Sequence, residues 1–119
     1  MNDHETAPVD LSGLSDIRDR DKGLFREVID QYLKDASCHL AILQEATGKG
    51  DAETVRQEAH ALKGSSGFFN AKGMHEFCQR LETLGKSGTL TGATEHLSAL
   101  QEEFIRVRTA LEVERQKAA

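Results

Sequence analysis

The segment DAETVRQEAHALKGSSGFF contains the residues of this chain that are best suited to chemistry. It is typical of a helix over residues 52–67, with about 100° of rotation per residue. One narrow stripe of that helix, which we expect to face the core, consists of Val55, Ala59, Leu62 and Ser66. His60 lies roughly 160° from Leu62 on the same wheel and should point at solvent. Since a neutral imidazole nitrogen is a nucleophile near physiological pH, an exposed His60 is suited to accept a phosphoryl group.

The helix face around His60 carries positive charge and lacks bulk. The residues within roughly 60° of His60 on the wheel are Arg56, Gln57, Lys63, Gly64 and Gly67. Lys63 could stabilise an anionic group on the imidazole as a mobile point charge. Glycine within a helix costs about 1 kcal/mol relative to alanine, so two of them on one exposed face need a reason. Their missing side chains would admit a bulky group or a partner's backbone, with Arg56, Gln57 and Gly67 as candidate docking residues.

Other titratable residues offer weaker signals. Glu82, on the next helix, could reach the imidazole of His60 and orient it, although a solvated glutamate is the more common case. His75 and Cys78 are three residues apart, but two ligands do not make a zinc site and Cys78 lies on an apolar stripe. We therefore expect no metal, and we expect both Cys38 and Cys78 to be small core residues in a reducing compartment.

The elements that must position these residues are all predicted to be helices. Apolar residues recur at steps of three and four, and no useful length of the chain alternates with period two. The predicted helices span residues 9–18, 22–46, 52–67, 70–84 and 92–117, with breaks at glycine-rich segments. We expect residues 1–8 to be a frayed tail and residues 9–117 to form one domain. The predicted fold is an all-α, antiparallel up-down-up-down four-helix bundle with a short extra N-terminal helix.

Composition excludes several classes of function. A chain of 119 residues with 38% hydrophobic residues is long enough for one domain with a core. It has no apolar run of about 18 residues, which argues against membrane insertion. Its net charge of −5 and lack of basic clusters argue against nucleic-acid binding. With no secretory signal, we expect a cytoplasmic protein. No glycine-rich nucleotide motif is present, so we expect neither a cofactor nor an enzyme with its own ATP site.

The chemistry-bearing segment resembles a known family. The sequence HALKGSSG at residues 60–67 is similar to the H-x-L-K-G-S-S signature of histidine phosphotransfer (HPt) domains. The sequence FCQRLE at 77–82 resembles the family's next helix, and in architecture the resemblance covers about residues 9–112. The resemblance implies a four-helix bundle in which His60 accepts a phosphoryl group from an aspartyl phosphate on a receiver domain. Asn70 departs from the family pattern, since many members have glycine there, but asparagine tolerates left-handed backbone.

The resemblance also implies roles and partners. His60 would pass the phosphoryl group to another receiver domain, Lys63 would interact with the group, and Gly64 would clear space beside it. The partners would be receiver domains of response regulators or hybrid histidine kinases, which would supply the magnesium, and we expect a monomer. A helical module that docks receivers without carrying phosphate is the main alternative, and a hydrolase that uses its own histidine is a third.

Overall fold

The computed structural model describes residues 7–118, which form helices joined by short connections and no strand. The elements, in chain order, are a 3₁₀ turn at Ser12–Leu14 and the helices α1 (Ser15–Arg20), α2 (Lys22–Lys49), α3 (Ala52–Gly67), α4 (Lys72–Ser87) and α5 (Ala93–Lys117). Within this part of the chain, every helix is too short or too polar to cross a bilayer.

Helices α2 to α5 form the predicted four-helix bundle. Each packs against the next along the chain, and α5 returns to pack against α2, while α1 lies against α2. The stripe on α3 that was expected to face the core is fully buried, as is most of the apolar seam of α5. Short connections between long helices with one apolar face leave the antiparallel bundle as the arrangement that buries every stripe. The predicted fold class is therefore confirmed.

Local signals set the helix ends. The side chain of Asp21 accepts a hydrogen bond from the Leu24 amide at 2.9 Å, and that of Asp51 accepts one from the Thr54 amide at 3.2 Å. Helix α2 runs three residues past its predicted end, because Gly48 stays helical and Gly50, at φ 73°, is the residue that adopts the left-handed conformation. The Asp21 and Asp51 side chains each satisfy a backbone amide that has no hydrogen-bond partner within its own helix.

The first predicted helix, residues 9–18, is displaced along the chain. Regular structure begins only at Ser12, and α1 ends at Arg20. The segment before it is held instead by the α3–α4 connection. The Asp10 amide donates to the Phe69 carbonyl at 3.0 Å, and the Asn70 side-chain amide donates to the Asp10 carbonyl at 3.1 Å. Long-range hydrogen bonds thus replace the first helical turn. Of the predicted tail, residues 1–6 lie outside the described part of the chain.

Asn70 forms the turn between α3 and α4 and does not cap α4. Its φ of 50° is left-handed, the conformation that asparagine tolerates better than most residues. The N-cap of α4 is Ala71, which makes no side-chain capping bond. The predicted start of α4 at Asn70 is therefore early by two residues.

The predicted end of α4 at Leu84 was also wrong, for a reason that matters to the site. The helix continues through Gly85 to Ser87, and the left-handed residue that ends it is Gly88, at φ 79°. Gly85 is buried against α3, where an added Cβ would lie 2.7 Å from both the Ala52 carbonyl oxygen and the Arg56 amide nitrogen. Gly85 is thus the residue that lets the backbones of α3 and α4 approach closely.

Candidate functional site

His60 lies on the outer face of α3 with its imidazole directed along the boundary with α4. Its side chain is 66% exposed, which agrees with the expectation that it points at solvent. Its Nδ1 lies 3.1 Å from Glu82 Oε2. A carboxylate only accepts hydrogen bonds, so this contact requires the proton on Nδ1. The lone pair of the neutral ring is then on Nε2, at the end of the ring away from the carboxylate.

Glu82 is a buried carboxylate with cations on both oxygens. Its side chain is only 4% exposed, so the expectation of a solvated glutamate was wrong. Lys63 Nζ lies 2.7 Å from Oε1 and Lys86 Nζ lies 3.6 Å from Oε2. The Lys63 contact is the main cause that lowers the pKa of Glu82 below its ordinary value, with a further contribution from His60, although burial acts in the opposite direction. Glu82 is therefore ionised at neutral pH and able to hold the Nδ1 proton of His60.

Lys63 is held against α4 instead of extending into solvent. Its side chain is 19% exposed, and besides Glu82 its ammonium donates to Gln79 Oε1 at 2.9 Å. Gln79 is fixed in turn by a 3.3 Å hydrogen bond to the Thr83 hydroxyl. The sequence predicted Lys63 to be a mobile point charge, but in this structure it is a partly buried counter-ion, because the carboxylate beneath it attracts its charge.

The candidate docking residues divide into two kinds. Arg56 and Gln57 both donate hydrogen bonds to Glu53, one turn earlier on α3, at 3.0 Å each. Gly64 and Gly67 are open, since an added Cβ at either would meet no heavy atom of the described part of the chain within 4 Å. Neither glycine is needed to pack a neighbouring helix. The absence of side chains at Gly64 and Gly67 therefore leaves an open surface next to His60.

Two residues beside His60, Lys63 and Glu82 were not predicted from the sequence, namely Gln79 and Lys86. Together with Glu82 they follow steps of three and four along α4, so that all three lie on the helix face that meets Lys63 and His60. A polar stripe on an otherwise amphipathic helix was the available signal. It could not be interpreted from the sequence alone, because which face of α4 meets α3 depends on how the two helices pack.

The described residues offer nothing that would hold a metal ion. Between residues 7 and 118, no group of three or more His, Cys, Asp or Glu side chains is placed to bind one. Cys78 is fully buried, and burial raises the pKa of its thiol to about 12, which disfavours the thiolate that zinc requires. Cys38 is exposed on α2, so the expectation that both cysteines lie in the core holds only for Cys78.

The geometry agrees with comparisons to known proteins. The family model described as "Hpt domain" matches residues 27–110, more than half of the chain. The structure is similar to the crystal structure of histidine-containing phosphotransfer protein B (HptB) from Pseudomonas aeruginosa PAO1, with a TM-score of 0.86 and 26% sequence identity. That similarity covers 95% of this chain and 98% of the other. Among curated protein sequences, none matches this one.

Proposed function

This chain belongs to the Hpt domain family and has a histidine phosphotransfer relay function in two-component signalling, and we propose that His60 is the residue that carries the phosphoryl group. One observation supports this assignment above the others. His60 is an exposed histidine whose Nδ1 is held by a buried, ionised carboxylate, which leaves Nε2 with its lone pair at the surface. No other histidine among residues 7–118 combines that exposure with such an arrangement.

In the proposed reaction, Nε2 of His60 attacks the phosphorus of an aspartyl phosphate on a receiver domain. The N–P bond forms as the bond between phosphorus and the aspartyl oxygen breaks, and the electron pair of that bond leaves with the aspartate carboxylate. The imidazole keeps its Nδ1 proton and becomes a cationic phosphoimidazolium. Transfer to a second receiver is the same displacement in reverse, with the new aspartate as nucleophile.

Glu82 is the proposed positioning residue for this step. Glu82 accepts a hydrogen bond from the Nδ1–H of His60, which selects the tautomer with a nucleophilic Nε2 and fixes the orientation of the ring. It also stabilises the positive charge that the ring gains when Nε2 bonds to phosphorus. Because Glu82 is itself held by Lys63, it is in place before the phosphodonor arrives.

Lys63 and the glycines serve the incoming phosphoryl group. We propose that Lys63 neutralises Glu82, so that a buried negative charge does not repel the phosphoryl oxygens, and adds its own attraction to them. Gly64 leaves open the space in which the phosphoryl group and the donor's backbone lie. Gly67 extends that open surface, while Arg56 and Gln57 provide polar groups at its edge for receiver docking.

Hpt proteins act as phosphocarriers that interact with receiver domains. We propose that this chain works as a monomer in the cytoplasm, without a nucleotide site or cofactor of its own. The free energy for transfer to His60 then comes from the acyl phosphate of the donor receiver, and phospho-His60 is itself the donor in the transfer to the second receiver. The receiver supplies the divalent cation and the carboxylates that stabilise the transferring group.

The test is phosphoryl uptake by matched histidine variants. Wild type, His60→Gln and His75→Gln are each incubated with receiver domains phosphorylated by acetyl phosphate, followed by mapping of acid-labile, base-stable phosphate. His75 is the control because it is exposed on α4 and, among residues 7–118, has no buried carboxylate partner. We expect label on wild type and His75→Gln, and none on His60→Gln, with the same helical circular dichroism in all three.

Two other results would contradict the proposal. Label that persists in His60→Gln would place the phosphoryl group elsewhere. Receiver binding without any label on wild type would favour the alternative, a helical docking module that carries no phosphate.

A further inference from the structure

The two lysines that flank Glu82 differ in a way that the proposed function does not explain. Lys63 is 19% exposed and lies 2.7 Å from Oε1, whereas Lys86 is 61% exposed and lies 3.6 Å from Oε2. The first distance is that of a close ion pair, and the second is longer than a hydrogen bond. Lys63 is therefore fixed, while the ammonium of Lys86 is held only loosely.

Lys86 also lies on the side of the carboxylate that faces His60. The oxygen it approaches, Oε2, is the one that accepts the hydrogen bond from His60 Nδ1 at 3.1 Å. With both nitrogens beside one oxygen, Lys86 Nζ and His60 Nδ1 are separated by no more than about 7 Å. Within residues 7–118 the Lys86 ammonium has no closer partner than Glu82. A flexible four-carbon stem allows it to move several ångströms without a change in the backbone.

Phosphorylation of His60 would change the charges around Glu82 and Lys86. In the unphosphorylated site, the carboxylate of Glu82 faces two lysines and a neutral imidazole. Phosphorylation adds about −1.5 to −2 charges on the phosphoryl oxygens and, because the Nδ1 proton stays, one positive charge on the ring. The cationic ring then compensates Glu82 from the Oε2 side, where Lys86 had been. Glu82 would then no longer need Lys86 beside Oε2, while a dianion has formed on the neighbouring imidazole.

We propose that Lys86 is a phosphoryl-binding residue, which leaves Glu82 Oε2 when His60 is phosphorylated and contacts the phosphoryl oxygens on Nε2. Lys63 meanwhile keeps its place on Oε1 as the counter-ion of Glu82. The inference rests on the proposed phosphorylation of His60. It assigns the two lysines different roles, with Lys63 as the counter-ion of Glu82 and Lys86 as a ligand of the phosphoryl group. Arg56 is near enough to interact electrostatically with Glu82, but it is hydrogen-bonded to Glu53 and is therefore less available than Lys86.

The test measures the phosphoryl group itself, in the absence of any docking partner. Wild type and Lys86→Met are phosphorylated with phosphoramidate, freed of the donor, and titrated by ³¹P NMR. A cation in contact stabilises the dianion, so loss of Lys86 should raise the second pKa of the phosphoryl group by about 0.5 pH unit. The lifetime of phospho-His60 should shorten by roughly threefold, the rate equivalent of such a shift. Both differences should shrink in 1 M KCl, because salt screens an exposed pair.

Lys49→Met is the matched control, since Lys49 is 69% exposed and pairs with Glu45 at i,i+4, as Lys86 pairs with Glu82. It removes the same charge far from the imidazole and should leave the phosphoryl pKa unchanged. Lys86→Arg should retain a wild-type pKa. If Lys86→Met titrates like Lys49→Met, the inference about Lys86 is wrong while phosphorylation of His60 stands. If phosphoramidate labels His60→Gln as well as wild type, the proposed function fails instead.

Discussion

Replacement of Gly85 by alanine tests whether the spacing of α3 and α4 controls the state of the His60 imidazole. Gly85 follows Glu82 by three residues and lies against the first turn of α3. An alanine Cβ would lie 2.7 Å from the Ala52 carbonyl oxygen and the Arg56 amide nitrogen, which are backbone atoms that cannot rotate away. Ordinary contact begins near 3.4 Å, so the two helices must separate by roughly 0.7 Å at this point.

Gly85→Ala has two effects on the free energy of unfolding, which have opposite signs and similar size. Alanine in place of glycine favours the helix by about 1 kcal/mol, whereas overpacking a close contact costs typically about 1–3 kcal/mol. We therefore expect Gly85→Ala to lower the free energy of unfolding by up to about 2 kcal/mol. The 3.1 Å contact between His60 Nδ1 and Glu82 should lengthen past hydrogen-bond distance if the whole shift reaches it. Without that bond the proton redistributes to Nε2, and the nucleophilic lone pair is lost from the surface.

The assays are urea unfolding and ¹⁵N NMR of the imidazole, which reports the tautomer of His60 directly. Gly64→Ala is the control, because it makes the same change within α3 where an added Cβ meets nothing within 4 Å. It should gain up to about 1 kcal/mol of stability and keep the wild-type tautomer. If Gly85→Ala is as stable as Gly64→Ala and its imidazole keeps the proton on Nδ1, the argument that helix spacing sets the tautomer is refuted.

Two further predictions concern buried carboxylates. Because the pKa of Glu82 is lowered in the folded state, its contribution is present above about pH 4.5 and lost as pH falls through the folded pKa. In urea unfolding at pH 7, the free energy of unfolding of Glu82→Gln should be roughly 1–3 kcal/mol below that of wild type. This difference should disappear below pH 4.5, and a difference that does not change with pH would contradict the prediction. Gly73→Ala should cost less stability than Gly85→Ala, because the atom that its Cβ would approach to 2.5 Å, Oε2 of the buried Glu103, ends a side chain that can move. In a Glu103→Ala background the same change should become neutral or stabilising in thermal unfolding, and an unchanged cost there would rule out the clash.

The sequence was sufficient for those features that depend on neighbours along the chain. A helix repeats every 3.6 residues whatever surrounds it, so periodicity predicted α3 at residues 52–67 and the stripe it buries. The same periodicity placed His60 on the exposed face, and the cap at Asp51 is a local feature too, because capping involves only the next few residues. Four such helices with short connections left few ways to bury their apolar faces, which is why the bundle was predictable.

Only the tertiary structure decided what lies across the boundary between α3 and α4. The sequence allowed a solvated Glu82, a free Lys63 and a helix break at Gly85, whereas packing made them a buried carboxylate, its counter-ion and a close helix contact. Each outcome depends on the distance and rotation of one helix relative to another, which local periodicity does not contain. Lys86 became part of the site for the same reason, since its place beside His60 exists only once the two helices are packed.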